Sequence, residues 1–355
     1  MRLSVKMFRI LVSGLTLALL GILALVSQGS RTVVAQDEIV SGEYAWQPGT
    51  QDLSQSFKDK TISIKTGLAD KDEFRYRCSL DGAATVASGD ITSDSAGSSF
   101  VEVVIKLASR KDASEFDAEL RYNVMQIEQR LGGDTWSMVS ERGDENSTNE
   151  VFRNGEKVAD GRIFGLPNAA SVKNGMGEPV AFGTITKRGL FTSAAHRMNL
   201  GDSKTFDAKG AYVLDVPARL IDPLVFARML FSGVAGTEVR LDEVTSIRVP
   251  LSFNAAGSVP VGYSLMLTLR KVFGDKDVAR SGQFEVTVRP VDGATIEVRG
   301  TKVAAPSLSG TMTVDFLKGV IGCVSLRGEY DSRVGEVSVK GSIQVRMDLA
   351  HKKDK

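Results

Sequence analysis

From residue 60 onward the chain runs in short stretches that alternate apolar and polar residues, punctuated by Gly, Asp and Asn. Successive side chains of a strand point to opposite faces, so an alternation of period two gives each stretch one apolar face and one polar face. The punctuation is too brief for the long crossovers that parallel neighbours need, so the strands must pair antiparallel. This pattern predicts a mainly β protein built as antiparallel meander sheets. A curved half-barrel, a sandwich and two tandem lobes all satisfy it.

Particular segments carry the reading. Phe100–Leu107 alternates as a strand. Glu119–Glu128, the Gly132-Gly133-Asp134 turn and Trp136–Val139 form a hairpin, although Phe116, Leu120, Val124, Ile127 and Leu131 also fit a helical stripe. Asn154-Gly155 is a two-residue hairpin turn by its chemistry. Further strands are expected at Leu265–Phe273, Gln283–Arg289, Thr295–Arg299, Thr311–Phe316, Val320–Leu326 and Glu336–Met347, with a turn at Lys318-Gly319. One helix is expected over 223–232. Asp222 suits its cap, Pro223 its first position and Gly233 its left-handed end. Leu224, Phe226, Leu230 and Phe231 make this helix apolar nearly all round, which predicts burial against a sheet. The Gly- and Pro-rich stretch from Gly165 to Gly183 reads as a long loop, a rim or a lid. A short similarity between Gly183-Thr-Ile-Thr and Gly310-Thr-Met-Thr places a boundary near residue 204.

The amino terminus has a different character. Arg2, Lys6 and Arg9 precede an uncharged apolar run over residues 10–26, and small residues lead to Ala35 and Gln36. A basic start, an apolar run and a small-residue site constitute an export signal, with cleavage between Ala35 and Gln36. An uncleaved membrane anchor over 10–26 is the alternative, since no charge falls between Arg9 and Arg31. Either way the body is expected outside the cytoplasm, periplasmic or extracellular, and touching a membrane only through this segment. The expected organisation is 1–35 signal peptide or anchor, 36–60 amino-terminal extension, 61–203 first β-rich lobe, 204–348 second β-rich lobe and 349–355 charged tail.

Composition narrows the function classes. The 355 residues carry 44 Lys+Arg against 43 Asp+Glu, a net charge of +1 that leaves no footprint for a nucleic-acid partner. Two His and two Cys are too few for most metal clusters, and no cofactor is expected. With aromatics at 7% and a basic tail after the last strand, the girdles of a transmembrane barrel are missing. In an oxidising compartment Cys78 and Cys323 invite a disulfide that closes a large loop. Two small buried apolar residues are the other reading, because Cys78 alternates with Phe74, Tyr76 and Leu80.

Catalytic signatures are sparse. There is no phosphate-cradling loop, no dinucleotide fingerprint and no nucleophile elbow. His196, a candidate general base, reads more simply as a hydrogen-bonded strand histidine; Asp242-Glu243, a candidate glycoside-hydrolysis pair, is an adjacency expected among 43 acids; and Asp144-Glu145, candidate Ca²⁺ ligands, reads as a solvated turn. Gly201-Asp202-Ser203 resembles the nucleophile block of GDS-type esterases, and Asp348-Leu-Ala-His351 resembles their terminal block. That resemblance implies Ser203 as nucleophile with His351 as its base. Here, however, the serine lies in mid-chain among hairpins rather than near the mature amino terminus, and the oxyanion block is missing.

Asp72-Glu-Phe-Arg-Tyr-Arg, Leu200-Gly-Asp-Ser-Lys-Thr-Phe and Thr313-Val-Asp-Phe-Leu-Lys-Gly-Val carry a second likeness. In these segments and in its overall pattern the chain resembles uncharacterised exported bacterial β-rich proteins. It is also distantly similar to the half-barrel lipoprotein carriers of the envelope. The resemblance implies a concave apolar face, partly plugged by the 223–232 helix, that receives a lipid-like ligand or a protein partner. Three functions are therefore in play: apolar-ligand or partner binding near Leu224, Phe226, Leu230 and Phe231; structural assembly with no cavity; and hydrolysis through Ser203.

Overall fold

A computed structural model of the chain describes residues 51–88, 90–110, 115–131, 133–142, 148–158, 176–196, 223–249, 263–290, 295–298, 301–304, 307–335 and 337–350. The cleavage site at Ala35 and Gln36, the boundary at 203 and 204, Ser203 and His351 lie outside these residues.

The described fold is one large antiparallel sheet wrapped around one short helix. Its strands are β1 (Gln51–Asp52), β3 (Glu73–Ser88), β4 (Ile91–Ser109), β5 (Glu115–Leu131), β6 (Asp134–Glu141), β7 (Thr148–Arg153), β8 (Glu156–Lys157), β9 (Pro179–Thr186), β10 (Phe191–His196), β12 (Val244–Val249), β13 (Tyr263–Asp275), β14 (Val278–Pro290), β17 (Leu308–Asp315), β18 (Val320–Val334) and β19 (Val337–Ala350). Their order is β1-β13-β14-β17-β18-β19-β3-β4-β5-β6-β7-β8. Beside β5, the first half of the strand pairs with β9 and the second half with β6, so the sheet forks there. The last strand lies beside an early one: β19 pairs with β3 from Val337↔Ser88 to Ala350↔Arg75. The halves read from sequence as two lobes thus share one sheet. Two small pairs stand apart, β2 (Ile62–Ser63) with β11 (Glu238–Val239) and β15 (Thr295–Val298) with β16 (Thr301–Ala304).

Alternation decides which face is buried. In β13, Tyr263, Leu265, Leu267 and Leu269 are buried while Ser264, Met266 and Thr268 are half-exposed and Arg270 is exposed. Val101, Val103 and Ile105 of β4 and Phe74, Tyr76 and Cys78 of β3 join the same inward face. Arg75, Arg270 and Glu285 face outward into ion pairs. An apolar interior with a charged exterior is the reverse of a lipid-facing barrel, and the sheet path has two ends rather than closing on itself. The 116–131 segment, ambiguous between stripe and strand, is β5. The pairing partners on both sides settle it, because β-propensity is decided by tertiary context. The strand β9 begins at Pro179, so the loop read as reaching Gly183 ends earlier; residues 165–175 of it lie outside the described set.

One end of the sheet is belted by backbone hydrogen bonds. Gly233 N–H donates to Gly189 O at 3.0 Å, Gly236 N–H to Ile64 O at 2.7 Å, and Lys65 N–H to Phe316 O at 2.8 Å. The belt thus runs from the β9–β10 turn, through the segment after the helix and the segment before β3, to the β17–β18 turn. Gly319 sits in that last turn at φ 69°, and a Cβ there would lie 2.4 Å from Lys65 O and 2.5 Å from the Ala235 Cβ. Both the dihedral and the close approach require glycine.

Candidate functional site

The helix, α1 (Pro223–Leu230), enters the trough of the sheet just above this belt. It is shorter by a turn residue or two than the sequence suggests. Phe231 N–H still donates to Ala227 O at 2.8 Å, but Ser232 already forms a bridge with Leu190. Gly233 ends the turn at φ 76°, the left-handed conformation its residue type predicts. Asp222 lies outside the described residues, as does the side chain of Leu224.

The helix presents two faces to two walls. Phe226, Ala227, Leu230 and Phe231 fall three or four positions apart and are buried to 2% exposure or less. Phe231 meets Phe74 of β3 edge-on with ring centroids 6.0 Å apart. On the other side Met229 and Ser232 face a cavity of about 30 Å³. Apolar side chains of β13, β14, β17, β18 and β19 complete its wall, among them Leu265, Met312, Val324 and Met347. For scale, an engineered apolar cavity that holds benzene measures about 150 Å³. The space is therefore enough for one or two water-sized spheres. Its lining offers a water little to bond, since Ser232 is the one polar side chain among the described lining residues. Ser232 is 3% exposed, and its hydroxyl has no hydrogen-bond partner among the described residues. An orphaned hydroxyl of this kind costs about 1–3 kcal/mol.

Of the residues singled out from sequence, Phe226, Leu230 and Phe231 pack between helix and sheet, and none of them lines the cavity. Met229 and Ser232, their neighbours on the opposite helix face, do so with Met312 and Met347. The signal available beforehand was the single hydroxyl at the end of an otherwise apolar run.

The cysteines correct one expectation. Both are free. Cys78 pairs across β19 with Met347 and Cys323 with Asp348. Consecutive residues of β19 point to opposite faces, so the two thiols lie two strands apart, about 9–10 Å, on opposite faces of the sheet. That separation exceeds disulfide reach. Burial pushes the Cys78 thiol well up. Burial, followed by the hydrogen bond to Asp348 and its charge, pushes Cys323 up to about 12. Both shifts favour the protonated thiol over the thiolate.

The remaining chemical candidates are occupied or dispersed. Asp348 accepts a hydrogen bond from Arg346 Nε at 2.7 Å. Asp242 accepts one from Arg270 Nη1 at 2.7 Å. His196 stands on β10 opposite Ala181, with its side chain outside the described set. Among the described residues no group of three His, Cys, Asp or Glu is placed to hold a metal. None of the described helices is long and apolar enough to cross a membrane.

Buried polar groups elsewhere are mostly paired in structural roles. Tyr76 donates to Ile321 O at 2.8 Å, tying β3 to β18 across β19. On the outer face Glu102, 8% exposed, accepts from Asn123 Nδ2 at 3.0 Å, with Arg75 and Arg77 at 3.6 and 3.8 Å. Asn123 is the extra residue of a bulge between Glu102 and Val103, which swings its amide onto that carboxylate.

No family model matches the chain, and no curated protein does. Among solved structures, the chain is similar to a β-barrel-like DUF1849 protein from Brucella abortus, at 10% identity, 78% of this chain, 98% of that one and a TM-score of 0.20. A DUF1329 protein from Desulfovibrio piger aligns at 8% identity over 79% and 86% of the two chains, with a TM-score of 0.12. The translocator domain of the autotransporter NalP from Neisseria meningitidis aligns at 8% identity over 79% and 89%, with a TM-score of 0.23. These are remote likenesses among β-rich proteins, and at such scores nothing about the function of this chain is drawn from them.

Proposed function

We propose that this is an exported, non-enzymatic binding protein of the cell envelope that takes an apolar, lipid-like ligand between α1 and the curved sheet. The carrying observation is the apolar cavity beside Met229 and Ser232. It sits where a helix rests in a trough rather than within a uniformly filled core. Three of its walls are methionines, Met229, Met312 and Met347. Unbranched and polarizable, methionine refills or vacates space at low cost, which suits a wall that must admit a chain larger than 30 Å³. The export reading rests on the basic and apolar segment that ends near Ala35 and Gln36.

The experiment is native mass spectrometry of the protein purified from the exported fraction of cells expressing the full chain, before and after organic extraction. A co-purifying mass of lipid size that disappears on extraction is the expected result. A clean protein mass before extraction overturns the ligand reading.

A second reading has an observation in its favour. Phe226, Leu230 and Phe231 are fully buried, so the helix plugs most of the trough as it would in a structural or surface-assembly module. That reading expects the clean mass together with a defined oligomer.

A further inference from the structure

We infer that Ser232 is the polar anchor of the site and that the ligand it selects is electrically neutral, with an alcohol, ester or amide oxygen at the buried end of an apolar body. This rests on the ligand reading above and says which chemistry the trough accepts. Three observations carry it. Ser232 lines the cavity and is 3% exposed, and its hydroxyl lacks a hydrogen-bond partner among the described residues. It is the one polar side chain among the described lining residues, so the described wall offers a ligand one side chain to bond and is otherwise apolar. No Lys, Arg or His is among the described residues that line the cavity.

The chemistry follows from what is present. A hydroxyl both donates and accepts, so it can serve a ligand alcohol in either sense or donate to a carbonyl oxygen. A carboxylate or phosphate buried there meets no cation among the described lining residues, and an unpaired charge in such surroundings carries a prohibitive desolvation cost. The backbone holds the anchor in place, since Ser232 bridges Leu190 and its neighbour Gly233 is hydrogen-bonded to Gly189. The methionines opposite are the adaptable part. Rigid anchor and soft wall together favour recognition of a head oxygen over that of a particular chain shape.

The test uses the full chain labelled with ¹³C at its methionine methyls, with Met229, Met312 and Met347 assigned by single Leu substitutions, and three probes of equal length: 1-octanol, octane and octanoate at pH 7. Octanol is expected to shift the three methyls, octane to shift them more weakly, and octanoate to leave them unmoved. Ser232→Ala is expected to weaken octanol about five- to tenfold, the value of one hydrogen bond, and to leave octane unchanged. Its melting temperature should match or exceed that of the parent, because it removes a hydroxyl without a partner. If that variant does not fold, Ser232→Cys, nearly the same size and a weak donor, takes its place with the same expectation. Octanol binding equally to variant and parent overturns the anchor, and octanoate binding as well as octanol overturns the neutral preference; both leave the pocket standing. Failure of octane and octanol alike to move the three methyls removes the pocket itself, and with it both this inference and the function proposed above.

Discussion

Around α1 the strands β13, β14, β17, β18, β19, β3 and β4 turn a continuous apolar face inward, and Leu267, Phe284, Val314, Val345, Tyr76 and Val103 on it are 0% exposed. Past Gly82 and Gly328 several of the same strands run on as a ladder of a different kind. There β3 continues as Ala83-Ala-Thr-Val-Ala-Ser, β4 arrives through Thr92-Ser-Asp-Ser-Ala-Gly-Ser, and β18 ends in Glu329-Tyr-Asp-Ser-Arg-Val. Pairing remains regular, from Val337↔Ser88 through Gly341↔Ala84, and the outward face there carries exposed charges such as Glu329, Asp331 and Lys340. The trough is held by burial, at about 25 cal/mol per Å² of apolar surface. The ladder is held by backbone hydrogen bonds, each of modest net worth. One sheet therefore combines a stable apolar interior with an extension whose amides are expected to exchange more readily.

Substitutions separate the two regions by magnitude. Phe231→Ala removes the ring that meets Phe74 in the trough and should cost about 3–5 kcal/mol by denaturant unfolding; a loss under 1 kcal/mol would mean that the helix is dispensable to the core. Gly319→Ala adds a methyl where Lys65 O and Ala235 already press in, at a positive φ. It should cost about 3 kcal/mol, through overpacking and backbone strain at the belt.

Asp81, where trough passes into ladder, has its carboxyl raised to about 6 by desolvation. The folded value lies above the unfolded one, so the charged form opposes folding. The resulting penalty is present above pH 6 and is relieved as pH falls toward 4. Asp81→Asn should thus stabilise the protein at pH 7 by about 1 kcal/mol after allowance for solvent screening, with the gain gone near pH 4. An effect of equal size at both pH values would assign it to something other than charge. Smallest of all, Lys340→Ala breaks an exposed pair with Asp331 at 2.9 Å and should change stability by less than about 0.5 kcal/mol in thermal melts. A larger loss would show that the ladder depends on its side chains after all.

Sequence legibility divides along the same line. Strands of the trough announce themselves by period two, and the turns at Asn154-Gly155 and Gly319 by residues that accept positive φ. The helix is legible from Pro223 and Gly233. The outer half of β4 is not, because its small polar residues show no apolar period; this segment becomes a strand by adding to a ladder already formed. Register is equally hidden. Alternation places Cys78 on an inward face, but only the pairing with β19 shows that Cys323 lies on the other one. The cavity escapes for a similar reason: a helix apolar nearly all round does not disclose which of its faces meets a gap, and the gap opens beside Met229 and Ser232 rather than beside its aromatic residues.

The most direct test of the trough as a binding site is a crystal structure of the full chain grown with 8-bromo-1-octanol, located by the anomalous signal of bromine. The account expects the alcohol oxygen within hydrogen-bond distance of the Ser232 hydroxyl, and the bromine between α1 and the sheet among displaced Met229, Met312 and Met347 side chains. Bromine found only on the outer surface, with the cavity still at its present size and the methionines unmoved, would contradict it.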